Sequence, residues 1–395
     1  MGFAKRYYEE MTDPDRLEPQ LDQYVSAACF ENKALKKFVK QNLTDKCCTY
    51  YCGAGKTPKG ATLDAVIRFV FEGICSRYED AANGVGWEGG YVGAHTYDSD
   101  DLVQDHVCLT EDASPSLLSD IVAAMPDRTW SEIDPYGARD HEILAWSWER
   151  FVDVVKHERR YFFENSDHAL SDEQISPSAL LEGVATKCRQ ARMIRKLPAG
   201  STFFRCRSRE AGQQFKAPSE LGPPPQDRAS QSRMSPAGIP MFYGAVDEVT
   251  ARAETLECSS DRHSIALFAL GKDVRVLDLT QSPVVSIFDR ERRSFYDWAI
   301  FMHRFRRDLR KKIKKDDRVH IEYVPTQIVT EYFRTFLKDG KGNRIDGILY
   351  RSATETNGKC IALFAGSRDV APTRQKRIDP ANGFLLNLLS VSQHG

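Results

Sequence analysis

The sequence has no long apolar run and no strong excess of charge of one sign. No segment approaches the ~20 apolar residues that cross a bilayer, and the opening MGFAKRYYEE contains no apolar core like that of a signal peptide. The net charge of −1 argues against electrostatic binding of nucleic acid or of an anionic membrane by the chain as a whole. We therefore expect a cytoplasmic protein without a membrane partner.

Cysteine is sparse for a disulfide framework, with ten residues in 395, so free thiols or metal ligands are expected. A zinc ribbon needs two close cysteine pairs. Cys29 has no partner nearby, while Cys47 and Cys48 are followed by Cys52 at a stretched spacing. We interpret 1–60 as a degenerate zinc-ribbon-like segment, in which zinc at Cys29, Cys48 and Cys52 stays an open alternative to no metal.

A change of composition divides the chain. The first half is mainly helical, and 63–81 places apolar residues at helical spacing. The second half contains short β-rich runs, namely STFFRCR (201–207), MFYGA (241–245), SIALFAL (264–270), VRVLDL (274–279), GILYRS (347–352) and CIALFAG (360–366). We predict an α+β protein with a helical domain at 1–165, a linker at 166–184, a mixed α/β domain at 185–370 and a C-terminal tail at 371–395.

Two arginines share one face of a predicted strand. Because side chains alternate along a strand, Arg205 and Arg207 point to the same side of STFFRCR. Paired guanidiniums suit a pyrophosphate, and a Pro-rich loop at 211–240 follows them. The alternative is a solvated edge strand.

A tyrosine and a glutamate follow in a strand–turn–helix segment. Tyr243 lies on a predicted strand, Asp247 is suited to cap a helix that begins at 248, and Glu254 lies two turns into that helix. Ser352 ends a later predicted strand. Taken singly, these are also the residues of an ordinary β–α unit and of a turn.

The order of these pieces resembles the RES domain. The matching segments are FFRCR (203–207), LGPPP (221–225), RMSPAGIPMFYGAVDEVTARAE (233–254), DDRVHIEYVPTQIVTEYFR (316–334) and DGILYRSATETNGKCIALF (346–364). The first half resembles the HEPN-related domain that precedes RES domains in long members, which includes WSWERFVDVVKHERRYFF (146–163). Typical RES toxins are much shorter than this chain.

The resemblance implies a fold related to ADP-ribosyltransferases and a bacterial toxin or defence enzyme that degrades NAD⁺ by cleaving its nicotinamide–ribose bond, with water or phosphate as the acceptor. It implies an antitoxin or regulatory protein as a further partner. Glu254, Tyr243 and Arg233 are the expected catalytic residues, and Arg205, Arg207 and Ser352 the expected substrate-binding residues.

Two other functions remain open. Arg150 and His157 fit the Arg-x4–6-His pattern of HEPN ribonucleases, although a surface pair on a structural helix explains them as well. The segment 290–318 contains twelve Arg or Lys residues and is a candidate nucleic-acid-binding module. An apolar stripe through that segment equally predicts an amphipathic helix with a solvated basic face.

Overall fold

The computed structural model describes residues 17–18, 22–162, 174–256, 262–281, 283–311, 318–375 and 382–395. The described residues fall into two compact units. The first lies within Met1–Arg139 and Val284–Asp297, and the second within Asp140–Pro283 and Trp298–Gly395. No helix of the described part is both long and apolar enough to cross a membrane. Helices and sheets occur in both units, and the predicted α+β class is confirmed.

The first unit packs short helices around one apolar core. Its helices are α1 (Lys33–Gln41), α2 (Leu63–Cys75), α3 (Ser99–His106) and α4 (Ser116–Ala123). Its strands are β1 (Tyr24–Val25), β2 (Ala61–Thr62), β3 (Tyr78–Asp80), β4 (Gly86–Trp87), β5 (Tyr91–Val92), β6 (Thr96–Tyr97) and β7 (Trp130–Glu132). The strands form three small sheets, ordered β1-β2, β3-β7-β6 and β4-β5.

Helix α2 is the centre of this core. Thr62 caps it by accepting a hydrogen bond from the Ala65 amide, and its apolar positions are buried at the spacing of one helical face. Gly73 lies against the Phe288 ring, which a β-carbon would meet at 2.2 Å. A side chain at position 73 would therefore displace Phe288.

The second unit is built on an eight-stranded sheet with the order β15-β11-β9-β10-β14-β13-β12-β8. Its strands are β8 (Ile194–Leu197), β9 (Thr202–Ser208), β10 (Phe242–Ala245), β11 (His263–Leu270), β12 (Val274–Asp278), β13 (Gly347–Arg351), β14 (Lys359–Leu363) and β15 (Leu386–His394). All neighbours are antiparallel except β12 and β13, which are parallel. The core between strands and helices is aromatic and aliphatic, including Phe203, Phe242 and Phe268.

The helices of this unit are α5 (Asp140–Asp153), α6 (Pro177–Gln190), α7 (Pro218–Leu221), α8 (Glu248–Thr255), α9 (Tyr296–Arg310), α10 (Val319–Glu322) and α11 (Val324–Phe336). Helix α5 continues as a π-helical turn, Val154–Glu158. In α5, Trp148 stacks on Phe151 and donates a hydrogen bond to Asp308 in α9 at 3.0 Å. By its contacts α5 belongs to the second unit, whereas the sequence predicts it as part of the first domain.

Each of the six β-rich runs forms a strand close to its predicted bounds. Two further strands, β8 and β15, lie where no strand is predicted. Strand β15 falls in the predicted C-terminal tail at 371–395, yet it pairs with the whole of β11, and Asn387 and Leu388 are buried. The sheet therefore continues beyond the predicted end of the domain.

Candidate active site

A cavity of about 250 Å³ lies where two central strands separate. Strand β9 pairs with β11 at seven positions but with β10 only at Phe204–Ala245, so the sheet opens there. The cavity is lined by Phe204, Arg205, Cys206, Ser232, Arg233, Tyr243, Gly244, Ala245, Ala251, Glu254, Thr255, Tyr323, Tyr350 and Cys360. Four of the six predicted site residues, Arg205, Arg233, Tyr243 and Glu254, are therefore together.

The strand register supplies one side of this cavity. Phe204 is opposite Ala245, Ala245 is opposite Cys360, and Cys360 is opposite Tyr350, on four adjacent strands. All four residues line the cavity. Tyr243, two residues before Ala245, lies on the same face of β10 because side chains alternate.

Helix α8 places the Glu254 carboxylate in the same cavity as these paired strand residues. Asp247 caps the helix, accepting hydrogen bonds from the amide and hydroxyl of Thr250, both at 2.8 Å. The turn after β13 packs closely on this first helical turn, because a β-carbon at Gly358 would lie 2.6 Å from the Thr250 hydroxyl. Glu254 follows one turn later and lines the cavity.

The Glu254 carboxylate is held in place by the turn that follows β13. Its Oε1 accepts a hydrogen bond from the Ser352 hydroxyl at 2.5 Å and one from the Ala353 amide at 2.8 Å. These two hydrogen bonds fix the position of the carboxylate.

Ser352 does not line the cavity but is buried behind Glu254. Its hydroxyl oxygen accepts the amides of Thr354 at 3.1 Å and Glu355 at 2.9 Å while the hydroxyl donates to Glu254. Ser352 therefore stabilises the turn after β13, as its position at the end of a strand predicts. It is also a direct hydrogen-bond partner of the Glu254 carboxylate.

The two cavity arginines carry N–H groups without a hydrogen-bond partner in the described structure. These are Nη1 of Arg205 and Nε of Arg233, both shielded from solvent. The Arg205 guanidinium lies 5.5 Å from the centre of the Phe242 ring, and that of Arg233 lies 6.0 Å from the Tyr350 ring. Because unsatisfied buried donors are costly, this arrangement favours an anionic ligand.

Arg205 stays charged in this setting. Burial, together with repulsion from Arg207, lowers the pKa of Arg205 to about 10, so its guanidinium is protonated at neutral pH. The loop carrying Arg233 is held by α11: the Thr326 hydroxyl donates to the Arg233 carbonyl, and the Gln327 side-chain amide donates to the Ser232 carbonyl at 2.9 Å. Helix α11 therefore holds the backbone of the loop at Ser232 and Arg233.

Tyr243 presents its ring to the cavity, while its hydroxyl is engaged by the same loop. The hydroxyl is 2.6 Å from the Ser232 hydroxyl and 3.0 Å from that of Ser235. Burial raises the pKa of Tyr243, so the phenol is neutral at neutral pH. This arrangement suits packing against a ligand better than proton transfer.

Arg207 lies outside the cavity. It is exposed, donates a hydrogen bond to the Glu220 carbonyl and places its guanidinium 4.1 Å from the centre of the Phe215 ring. These contacts hold the Pro-rich loop beside β9.

The cavity residues with no role predicted from the sequence include Tyr323, Tyr350 and Cys360. Tyr350 is two residues before Ser352 on the same strand face, which is a signal that the sequence does contain. Burial and the nearby Glu254 raise the pKa of the Cys360 thiol, so it is neutral rather than a thiolate.

The described residues contain no group of three or more His, Cys, Asp or Glu side chains placed to hold a metal ion. In the first unit, Cys29 and Cys48 are neighbours and buried, whereas Cys47 and Cys52 are exposed.

Comparison with protein families gives two adjacent matches. The HEPN/RES N-terminal domain 1 matches residues 41–169, and the RES domain matches residues 202–381. The chain therefore contains a RES domain preceded by a HEPN/RES N-terminal domain. All six predicted site residues fall within the matched RES domain, and NAD⁺ as a substrate fits that family. Comparisons with curated proteins and with solved structures find no match.

The matched N-terminal domain contains Arg150 and His157, the pair of the ribonuclease alternative. Arg150, in α5, forms an ion pair with Glu158, and its Nη2 lies 3.2 Å from Glu158 Oε2. His157 is exposed on the π-helical turn. The Arg150 charge is therefore already neutralised by a carboxylate.

The basic segment 290–318 forms α9 over its central part, and residues 312–317 lie outside the described structure. Trp298, Phe301, Met302, Phe305 and Leu309 are buried along one face of α9. Arg304 pairs with Glu149, and Arg306 donates to the Leu279 carbonyl at 2.6 Å. The described part has the pattern of an amphipathic helix with a solvated basic face.

Proposed function

We propose that the RES domain cleaves the nicotinamide–ribose bond of NAD⁺. One observation carries the proposal: a carboxylate fixed by two donors shares a small cavity with two arginines whose N–H groups lack partners in the described structure. NAD⁺ combines a diphosphate, which needs cationic donors, with a ribose that becomes positive as nicotinamide leaves. The cavity offers a charge complementary to each.

Glu254 is the group assigned to the bond cleavage. Nicotinamide departs as a neutral molecule with the electron pair of the C–N bond, and the ribose acquires oxocarbenium character. A negative charge held in advance beside C1 stabilises that state more than the ground state, which is the condition for catalysis. The hydrogen bonds from Ser352 and Ala353 hold the carboxylate so that it need not reorganise during the reaction.

The arginines are assigned to substrate binding. Arg205 and Arg233 would supply their unpartnered N–H groups to the diphosphate, as planar guanidiniums do. Arg207 remains a proposed diphosphate ligand, and its present contacts are with the loop at Phe215 and Glu220. Tyr243 and Tyr350 offer ring surfaces for nicotinamide or ribose.

The size of the cavity limits what it can enclose. Its volume of about 250 Å³ is below the roughly 300–1,000 Å³ of sites that enclose a whole drug-sized ligand. We infer that the cavity takes the nicotinamide riboside end, and that the adenosine end lies outside it. This arrangement leaves the reacting bond in the part of the site most shielded from water.

The biological setting follows from the family rather than from the cavity. A RES domain is consistent with an NAD⁺-related toxin family, and we propose a cytoplasmic toxin or defence effector whose activity an antitoxin or regulatory protein controls. From the family alone, we also propose that the fold of this domain is related to that of ADP-ribosyltransferases. The division into two domains at 166–184 is likewise a proposal.

The acceptor is tested by product analysis. Purified full-length protein is incubated with NAD⁺ in buffers with and without inorganic phosphate, and the products are identified by mass spectrometry. Hydrolysis predicts nicotinamide and ADP-ribose in both buffers, and phosphorolysis predicts a phosphorylated ADP-ribose only with phosphate. Intact NAD⁺ in both buffers, combined with cleavage of added RNA, would replace this proposal with the ribonuclease alternative.

A further inference from the structure

Two cysteines of the first unit lie beside each other although 19 positions separate them in sequence. The Sγ atoms of Cys29 and Cys48 are 3.6 Å apart. Cys29 is fully buried, and Cys48 is 6% exposed. Both belong to the apolar core of this unit.

Backbone hydrogen bonds fix this proximity on both sides. The Cys29 amide donates to the Ser26 carbonyl at 3.1 Å, and the Cys29 carbonyl accepts the Thr110 amide at 3.0 Å. The Cys48 amide donates to the Pro58 carbonyl at 2.9 Å. The two sulfurs therefore face each other because three separate chain segments hold them.

Ser26 polarises the pair. Its amide donates to Cys48 Sγ at 3.1 Å, and its hydroxyl lies 3.5 Å from Cys29 Sγ. The hydrogen bond between the two sulfurs is the main cause that lowers the pKa of Cys48, and the same bond raises the pKa of Cys29. These directions, together with the amide hydrogen bond from Ser26, favour Cys48 over Cys29 as the sulfur that ionises first.

We propose that Cys29 and Cys48 form a reversible disulfide, with Cys48 as the attacking thiolate. A peroxide is the oxidant. The Cys48 thiolate attacks one peroxide oxygen, which breaks the O–O bond, releases hydroxide and leaves a sulfenic acid. Cys29 then attacks the Cys48 sulfur, the S–O bond breaks, and the thiol proton leaves with the departing hydroxyl as water. Two thiols are oxidised and one peroxide is reduced.

The geometric change that this step requires is small. A disulfide has an S–S length of about 2.05 Å, so the sulfurs must approach by roughly 1.5 Å from 3.6 Å. Rotation about the two Cα–Cβ bonds can supply much of that change. Exposed Cys47 and Cys52 meet the same oxidant but have no such partner fixed beside them in the described structure.

The test is made on the full-length protein. Reduced protein is treated with a small excess of hydrogen peroxide, catalase is added, and the free thiols are alkylated in denaturant before peptide mapping by mass spectrometry. We expect a linked pair of peptides containing Cys29 and Cys48, about 2 Da lighter than the two thiol peptides and released by dithiothreitol. The melting temperature of the first unit should rise by roughly 5–10 °C.

Single variants identify the attacking sulfur. Cys29→Ser should accumulate a sulfenic acid on Cys48 that dimedone traps, whereas Cys48→Ser should leave Cys29 unmodified. Cys47→Ser, next to the pair, should still form the linked peptides. The proposal is overturned if wild-type Cys29 and Cys48 stay fully alkylatable while exposed thiols oxidise, if Cys48 links instead to Cys52, or if stoichiometric zinc holds both sulfurs.

Discussion

Replacing Glu254 by glutamine should remove most of the turnover of NAD⁺ while leaving the fold intact. The side-chain carbonyl oxygen of the glutamine could still accept the Ser352 hydroxyl and the Ala353 amide, which bond to Oε1 of the native carboxylate at 2.5 and 2.8 Å. The change therefore removes the negative charge and keeps the local hydrogen bonds. It isolates the electrostatic contribution of the carboxylate.

The expected size of the effect follows from preorganised groups in other active sites. Losing one such group costs about 2.7–4 kcal/mol of transition-state stabilisation, which lowers kcat by about 10²–10³. Binding of NAD⁺ should change little, because the arginine contacts assigned to the diphosphate remain. The assay is nicotinamide release at saturating NAD⁺, with binding measured separately by calorimetry.

Glu248 provides the matched control. It lies on the same helix, does not line the cavity and pairs with Arg252 at 2.5 Å near the surface. Glu257, three residues after Glu254, lies outside the described residues. Glu248→Gln should retain near-wild-type kcat and change stability by no more than about 1 kcal/mol. If Glu254→Gln also retained near-wild-type turnover, the assignment of the catalytic carboxylate would be refuted.

Three further predictions concern the surrounding residues. Arg205→Ala should raise KM for NAD⁺ by about tenfold or more with a smaller effect on kcat, and Arg205→Lys should raise KM by less. A fall in kcat with unchanged KM would contradict a binding role. Ser352→Ala should lower kcat by about tenfold and the free energy of unfolding by about 1–3 kcal/mol, because Glu254 and two turn amides lose a hydrogen-bond partner. Unchanged kinetics would count against the role of Ser352 in positioning Glu254. His157→Ala should leave nicotinamide release and cellular toxicity unchanged, and loss of toxicity with continued NAD⁺ loss would favour the ribonuclease alternative.

Local patterns in the sequence located most strands of the second unit. The run SIALFAL, predicted at 264–270, forms β11 at His263–Leu270, because β-branched and apolar residues fill a buried central strand. The predicted helix at 63–81 ends at Cys75 in the structure. Strand β15 escaped prediction because its first three residues are buried while the later ones alternate between half-buried and exposed, a mixed pattern with a weak period.

The site was accessible to sequence reasoning only in part. The spacing of Arg233, Tyr243 and Glu254 carried the family resemblance, and these residues do line one cavity. Cys360 lines the cavity through the pairing of β13 with β14, in which it lies directly opposite Tyr350. That register joins distant strands and is set by the packing of the whole sheet, so no local pattern could supply it.

The central claim is tested most directly by following NAD⁺ itself. Purified full-length protein and NAD⁺ are observed over time by proton NMR, in which bound and released nicotinamide give separate resonances. We predict that free nicotinamide appears in equal amount to the NAD⁺ consumed, at a rate proportional to protein concentration and nearly absent with Glu254→Gln. NAD⁺ that stays intact with folded wild-type protein, or nicotinamide release that is unaffected by Glu254→Gln, would contradict the account.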